Sequence, residues 1–311
     1  MGAPVTMSGM SLPAGYAARP HVRGDAQAVF ELVEAAEKVD AGEPAIEVED
    51  IQGAWARPSF DLAAESIGIF RTEADGKQTL AASADVFKGR RAEAAVHPDH
   101  RGRGLGTWLA GWIEDCARAR GSRLVGQTAP ADSSPERFLR DRGYHPMWTS
   151  WVLQVPAHQP IEAQPLPEGY ALREFVAGDE RTAYQLIEDA FNEWPDRDPT
   201  AFEDWTSNIV LRPGFEPWQL RFAVDPTGIP VGVAFTIVAG HTAYVDQLAV
   251  RRDQRARGLA RALLVDAFAR GRAHGGTTSE LSTDSRTGAL GLYERVGMVV
   301  TQTWRHWATQ L

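Results

Sequence analysis

The pattern R-x-x-G-x-[G/A] occurs twice in the chain, as Arg101-Gly102-Arg103-Gly104-Leu105-Gly106 and as Arg255-Ala256-Arg257-Gly258-Leu259-Ala260. Each copy follows a short apolar run ending in valine, Val96 or Val250. Each then opens a stretch with helical spacing: Leu105, Leu109 and Ile113 in one, Leu259, Leu263, Leu264 and Phe268 in the other. Strand, glycine turn and helix is the layout that aims unpaired backbone N–H groups at an anion. The free amides of a first helical turn, at the positive end of the helix dipole, hold a phosphate without needing a cationic side chain. Gly104 and Gly258 let the backbone approach closely, and Gly106 or Ala260 keeps the far side small. The chain has no G-x-x-x-x-G-K-[S/T] and no G-x-G-x-x-G with a trailing acidic residue, which excludes the commoner nucleotide turns.

The two copies lie 154 residues apart, and other landmarks keep the same spacing. "LPAGYA" from Leu12 answers "LPEGYA" from Leu166; Gly24-Asp25 answers Gly178-Asp179, Gly121 answers Gly275, and Gly143 answers Gly297. The chain is thus an internal duplication of one domain. The repeat places a leader over 1–11, a first domain over 12–154, a Pro-rich linker over 155–165 and a second domain over 166–311. In each half the pattern predicts a strand, a helix behind Asp25 or Asp179, and a hairpin turning at Asp75-Gly76 or Pro226-Thr227-Gly228. A strand into the motif, the motif helix and a further strand follow. The second half adds a short helix over "PTAFEDWTSNIV", another over "GALGLYERVG", and a final strand in "MVVTQTWRHWATQL". The fold class is α/β, with two tandem domains, each a mixed, mostly antiparallel sheet flanked by helices.

The motif resembles the pyrophosphate loop of the GNAT acetyltransferase superfamily, which cradles coenzyme A. In the second half "ALGLYERVGM", from Ala289, resembles that family's A-x-x-L-Y-x-x-x-G-[F/M] segment. The tandem arrangement and length resemble the mycothiol synthase group of the superfamily. The resemblance implies acetyl-CoA as cofactor and transfer of its acetyl group to an amine. It also implies an oxyanion donor among the backbone amides of Leu248, Ala249 and Val250, on the strand before the loop.

Acetyl transfer from a thioester to an amine needs three things. The amine must lose a proton, the carbonyl oxygen must be stabilised by a fixed donor, and the departing thiolate must be protonated or tolerated. By the resemblance Tyr293 is the general acid, since a phenol with pKa near 10 is protonated at neutral pH; the rival reading is a packing tyrosine beside Leu290 and Leu292. The family's frequent Asn seven residues earlier is Arg286 here. Asp246 is the leading base, because Asp246, Leu248 and Val250 share a face by strand alternation; an exposed strand carboxylate is the alternative. His241 falls at a hairpin turn. Glu193, Trp194 and Asp196, in the acidic and aromatic "FNEWPDRDPTAFEDW", are the candidates for the acceptor pocket, against a plain solvated helix face.

In the first half Leu139 stands where Tyr293 stands, and Ala92 where Asp246 stands. That half keeps the loop residues but lacks both proposed catalytic side chains, as a scaffold that can still hold coenzyme A would. The 41 acidic against 32 basic residues disfavour a nucleic-acid surface. Cys116 is the single cysteine, so no internal disulfide forms and a reducing cytoplasm fits. The longest apolar run, "VGVAFTIVAG", is too short to span a bilayer, and no secretory signal opens the chain. Met1-Gly2 with Thr6 matches a myristoylation pattern, against a plain small-residue leader. The expected partner is a small-molecule amine, with no nucleic acid, membrane or metal. A protein N-terminal or lysine acetyltransferase and a non-catalytic acyl-CoA-binding module are the alternatives.

Overall fold

The computed structural model describes residues 11–311 apart from 43, 45, 74, 157–158, 160–164, 195–196 and 198. The leader up to residue 10, most of the linker and the site candidate Asp196 lie outside the described residues. The elements in chain order are β1 (Tyr16–Arg19), α1 (Ala26–Asp40), α2 (Val48–Ala56), α3 (Leu62–Glu65), β2 (Ser66–Thr72), β3 (Gln78–Phe87) and β4 (Arg91–Val96). Then come α4 (Leu105–Ala119), β5 (Leu124–Pro130), α5 (Ser134–Asp141), β6 (His145–Val155) and β7 (Ala171–Glu174). The second copy continues with α6 (Glu180–Phe191), α7 (Phe202–Asn208), β8 (Leu220–Val224), β9 (Pro230–Ala239) and β10 (Thr242–Val250). It ends with α8 (Leu259–Ala273), β11 (Thr278–Asp284), α9 (Leu290–Glu294) and β12 (Val299–Gln310).

The chain divides into two units. One runs to Trp148 and takes in Trp304–Leu311; the other is Thr149–Thr303. The first has sheet order β1-β2-β3-β4-β5 followed by the end of β12, antiparallel except for β4 and β5. The second has β7-β8-β9-β10-β11 followed by the end of β6, antiparallel except for β10 and β11.

Linear repeat boundaries at 154 and 166 therefore do not coincide with the units. Trp304–Gln310 of β12 pairs with β5, and Ser150–Val155 of β6 pairs with β11. Each unit is closed by the strand that chain order assigns to the other. Both strands are packed where they land: Trp307 is buried with Ala129, Leu139 and Tyr144, and Leu153 and Val155 sit in the core under α8. Duplicated strands carry similar apolar patterns, so nothing in the one-dimensional repeat distinguishes a strand that stays from one that is exchanged.

In each unit helices cover both faces of the sheet. The motif helices do so with their periodic apolar faces: Leu105, Trp108, Leu109, Trp112 and Ile113 of α4, and Leu259, Leu263, Leu264, Ala267 and Phe268 of α8, are buried. Full burial of a side chain such as Phe268 contributes about 1.5–3 kcal/mol. Gly271 sets how close α8 comes to the sheet, because a Cβ there would stand 2.3 Å from the Cβ of Ala243 on β10. The opposite face carries α1 and α2 in the first unit and α6 and α7 in the second. Helices α2 and α5 and strand β6 are additions to the sequence reading; α2 begins on a reciprocal cap between Glu47 and Asp50. Asp25 and Asp179 do precede α1 and α6, yet neither side chain caps its helix. Each accepts from a backbone N–H three residues back, Val22 or Val176 at 2.9 Å, and from Arg19 or Arg173, because a tight turn leads into the helix.

Candidate active site

Both glycine loops fold identically. Gly104 (φ 84°, ψ −2°) and Gly258 (φ 83°, ψ −1°) occupy the N-cap position of α4 and α8 in the left-handed region, and neither helix has a side-chain cap. The amides of the first turn are left to an outside partner. A Cβ on Gly258 would meet nothing within 4 Å, so no protein atom crowds the turn at that point. The loop is braced by its first arginine. Arg255 Nε donates to the Val250 carbonyl at 3.0 Å and its two terminal nitrogens to Glu193 at 2.7 and 2.9 Å. Arg101 does the same with Val96 and Asp40. The second arginine leans on a tyrosine: Arg103 on Tyr16, Arg257 on Tyr170. These are the tyrosines of the repeated "LPxGYA", a signal present in the sequence but without a role there.

Beside the loop the sheet opens. β10 pairs with β11 only from Thr242 to Val245, and the parallel partners then part. A bulge in β10 between Val245 and Gln247 falls at the same place, so Asp246 is the extra residue. From Gln247 to Val250 the strand edge facing β11 carries no ladder, which turns its outward backbone groups into the gap. Leu248 of that segment, Ala260 of the first turn of α8, and Leu290 and Tyr293 of α9 pack against one apolar cluster. Segments from β10, α8 and α9 thus meet on one core cluster.

A model of the acetyltransferase (GNAT) family matches residues 45–144 and again 180–298. The chain belongs to this family. It is 30% identical over 288 residues to a mycothiol acetyltransferase of Thermobispora bispora, covering 88% of this chain and 92% of that one. A mycothiol acetyltransferase of Salinispora arenicola is 31% identical over 228 residues. Among solved structures, a GCN5-related N-acetyltransferase from Sphaerobacter thermophilus shares 34% identity with a TM-score of 0.74, covering 96% of this chain and 97% of that one. A tandem GNAT protein from the clavulanic acid biosynthesis pathway, 17% identical with a TM-score of 0.71, shares the fold. The protein is a tandem GNAT N-acetyltransferase, and its cofactor is acetyl-CoA.

The second unit fits that cofactor. Its uncapped α8 and open cradle suit a pyrophosphate, and the gap between β10 and β11 suits an extended acyl arm ending at the bulge. Burial pushes the Tyr293 phenol above its usual pKa, so it remains a proton donor through neutral pH. Asp246 is exposed. The bulge interrupts the alternation on which a shared face with Leu248 and Val250 was reckoned, and Gln247 instead turns inward to accept from the Trp205 indole at 3.1 Å.

The acceptor-side candidates have other company. Glu193 is tied to Arg255, whose guanidinium holds its carboxyl below the usual carboxylate range. Trp194 stacks on Phe191 at 4.6 Å. Arg286 folds back on Asp284 and lies with its Cζ 5.7 Å from the Trp194 ring. His241 is exposed at the turn between β9 and β10. Cys116 is half-buried, with its thiol pushed up to about 11 chiefly by burial, so it is no nucleophile. Among the described residues no group of His, Cys, Asp or Glu suits a metal ion, and no helix is long and apolar enough to cross a membrane.

The first unit keeps the loop and loses the rest. β4 pairs with β3 without a register shift, so it has no bulge, and Ala92 is buried under α4. Leu139 is buried with Phe138, Tyr144 and Trp307. β4 and β5 still part after Ala92.

Proposed function

We propose that the second unit is the catalytic one and acetylates the primary amine of a small molecule by direct attack within a ternary complex. The observation that carries this is the coincidence, in that unit and not in the first, of the β10 bulge with the point where β10 leaves β11. Acetyl-CoA supplies an activated acetyl group. The first-turn amides of α8 hold its pyrophosphate, and one amide of Leu248 to Val250 donates to the thioester oxygen. An alkylamine of pKa about 10 is roughly one part in a thousand neutral at pH 7, so Asp246 takes the ammonium proton. As the new C–N bond forms and the C–S bond breaks, Tyr293 gives its proton to the sulfur, and the proton that the acylated nitrogen loses on becoming a neutral amide restores the phenol. The first unit is read as a scaffold that keeps a coenzyme A cradle without catalysing.

The relatives' name, mycothiol acetyltransferase, makes a cysteinyl-sugar amine the first acceptor to try. The test is release of free CoA thiol from acetyl-CoA with a panel holding that amine, amino acids, polyamines, aminoglycosides and peptides. Acceptor-dependent release with a small amine supports the reading. Activity confined to peptides, or none with any amine, overturns it.

A further inference from the structure

Glu193 and Trp194 are consecutive residues just beyond α6, and each is held by a different side of the opening in the second unit. Glu193 pairs with Arg255, which follows the C-terminal end of β10. Trp194 faces Arg286, which follows the C-terminal end of β11. Those two ends are where the diverging strands lie farthest from their last paired residues, Val245 and Leu281. A two-residue strap therefore crosses the wide end of the gap. It is also stiffened from behind. The Trp194 ring lies nearly parallel to Phe191, at 16°, and Arg197 lies over the other ring with its Cζ 5.6 Å from the Phe191 centroid. Arg197 is fixed by Glu188 and Asn192, and Arg286 by Asp284. Each ring of the stacked pair thus has its own arginine, and each arginine its own carboxylate.

Among the described residues the first unit shows no such ring and arginine pair. At the repeat spacing Asp40 stands for Trp194 and Asp132 for Arg286. Asp40 is spent on Arg101, and Asp132 sits exposed at positive φ. Among the described residues, the strap thus accompanies the bulge and Tyr293 in the second unit and is not found in the first. A structural brace for the loop alone would need only the Arg255–Glu193 pair, which the first unit reproduces with Arg101 and Asp40. The tryptophan and Arg286 are the additional parts.

We propose that Trp194, pinned by Arg286, sets acceptor access to the opening and keeps water from the acyl group there. This rests on the second unit being the catalytic one. An unshielded thioester loses its acetyl group to water: the C–O bond forms, the C–S bond breaks, and acetate, free CoA thiol and a proton result. An indole over the gap disfavours that water while leaving an amine a narrower approach. Trp194 and Arg286 act as positioning residues, since neither is placed on the reacting atoms.

The experiment compares wild type, Trp194→Ala, Trp194→Phe, Arg286→Ala and Arg286→Lys, each checked for a cooperative melt and for acetyl-CoA affinity by calorimetry. Thiol release from acetyl-CoA is measured first without any amine and then with the cysteinyl-sugar amine. Trp194→Ala is expected to raise amine-independent release, and the KM of the amine, by about tenfold, with acetyl-CoA affinity little changed. Trp194→Phe, which keeps a ring on Phe191, falls between the two. Arg286→Ala moves the same quantities in the same direction by less, and Arg286→Lys by less again, because the ammonium keeps the charge but not the planar face. A folded Trp194→Ala protein with wild-type amine-independent release and wild-type amine KM overturns the proposal. Failure of the underlying reading shows elsewhere: Tyr293→Phe and Asp246→Asn would then keep full turnover.

Discussion

Gly258 repeats the backbone of Gly104, at φ 83°, ψ −1° against φ 84°, ψ −2°, yet only one of the two loops stands beside a bulged strand. The glycine turn is present twice in the same conformation; the bulge beside it is present once.

Gly258→Val is accordingly expected to abolish turnover and Gly104→Val to leave kcat near wild type. A residue other than glycine in the left-handed region costs about 1–2 kcal/mol, more when β-branched, and the added side chain projects in front of the free amides. Neither position is crowded by protein atoms, so the effect should appear in acetyl-CoA titrations rather than as a failure to fold. Calorimetric stoichiometry beside turnover checks both. Loss of activity in a folded Gly104→Val protein that still binds acetyl-CoA in the second unit would refute the division of labour.

Tyr293→Phe keeps the ring against the apolar cluster and removes the proton donor. We expect kcat to fall roughly ten- to a thousand-fold while acetyl-CoA affinity changes little. Unchanged turnover would make Tyr293 a packing residue only.

Asp246→Asn should lower kcat/KM most near neutral pH. Activity should recover in part at alkaline pH, where the amine loses its proton unaided. A pH–rate profile checks this, and an equal loss at every pH would mean that Asp246 binds substrate rather than taking its proton.

A further prediction concerns stability of the first unit. Asp85 accepts from the Trp55 indole at 2.8 Å, and burial, opposed by that bond and aided by Glu93, pushes its pKa up to about 7. A carboxyl with a raised folded pKa stabilises the fold at low pH, and that contribution is lost as pH climbs from the unfolded value near 4 to about 7. His21, stacked on Trp55, is held neutral by burial with its pKa lowered to about 4. It has the opposite sign, losing stability as pH falls from about 6.5 to 4. The two slopes oppose each other over one window. Asp85→Asn should therefore raise Tm above pH 7 and uncover a steeper loss of Tm between pH 6.5 and 4. Parallel Tm–pH curves for variant and wild type would contradict the Asp85 assignment, and a variant curve flat between pH 6.5 and 4 would contradict that of His21.

The duplication, the two cradles, the motif helices and the hairpin turns were all legible in the sequence. They are set by local chemistry: glycine at positive φ, apolar residues at helical spacing, and turn residues between strands. Tyr293 and Leu248 could be named as candidates because a motif carried them, but their meeting on one cluster with Ala260 was not readable. It depends on packing that brings Tyr293 back to residues over 30 positions earlier in the chain. The bulge at Asp246 was hidden for a related reason, since an extra residue in a strand is defined only against its partner, β9. The same holds for Glu193, which reads as a free acid in the chain and is an arginine's counter-ion in space. Strand exchange is the plainest case. Chain position puts β12 in the second domain and leaves β6 unforeseen, whereas pairing is decided by which sheet edge each reaches and what it buries there. Local propensity thus determined the parts of this protein. Where a strand bulges, and which segments meet beside each glycine loop, was decided by long-range pairing.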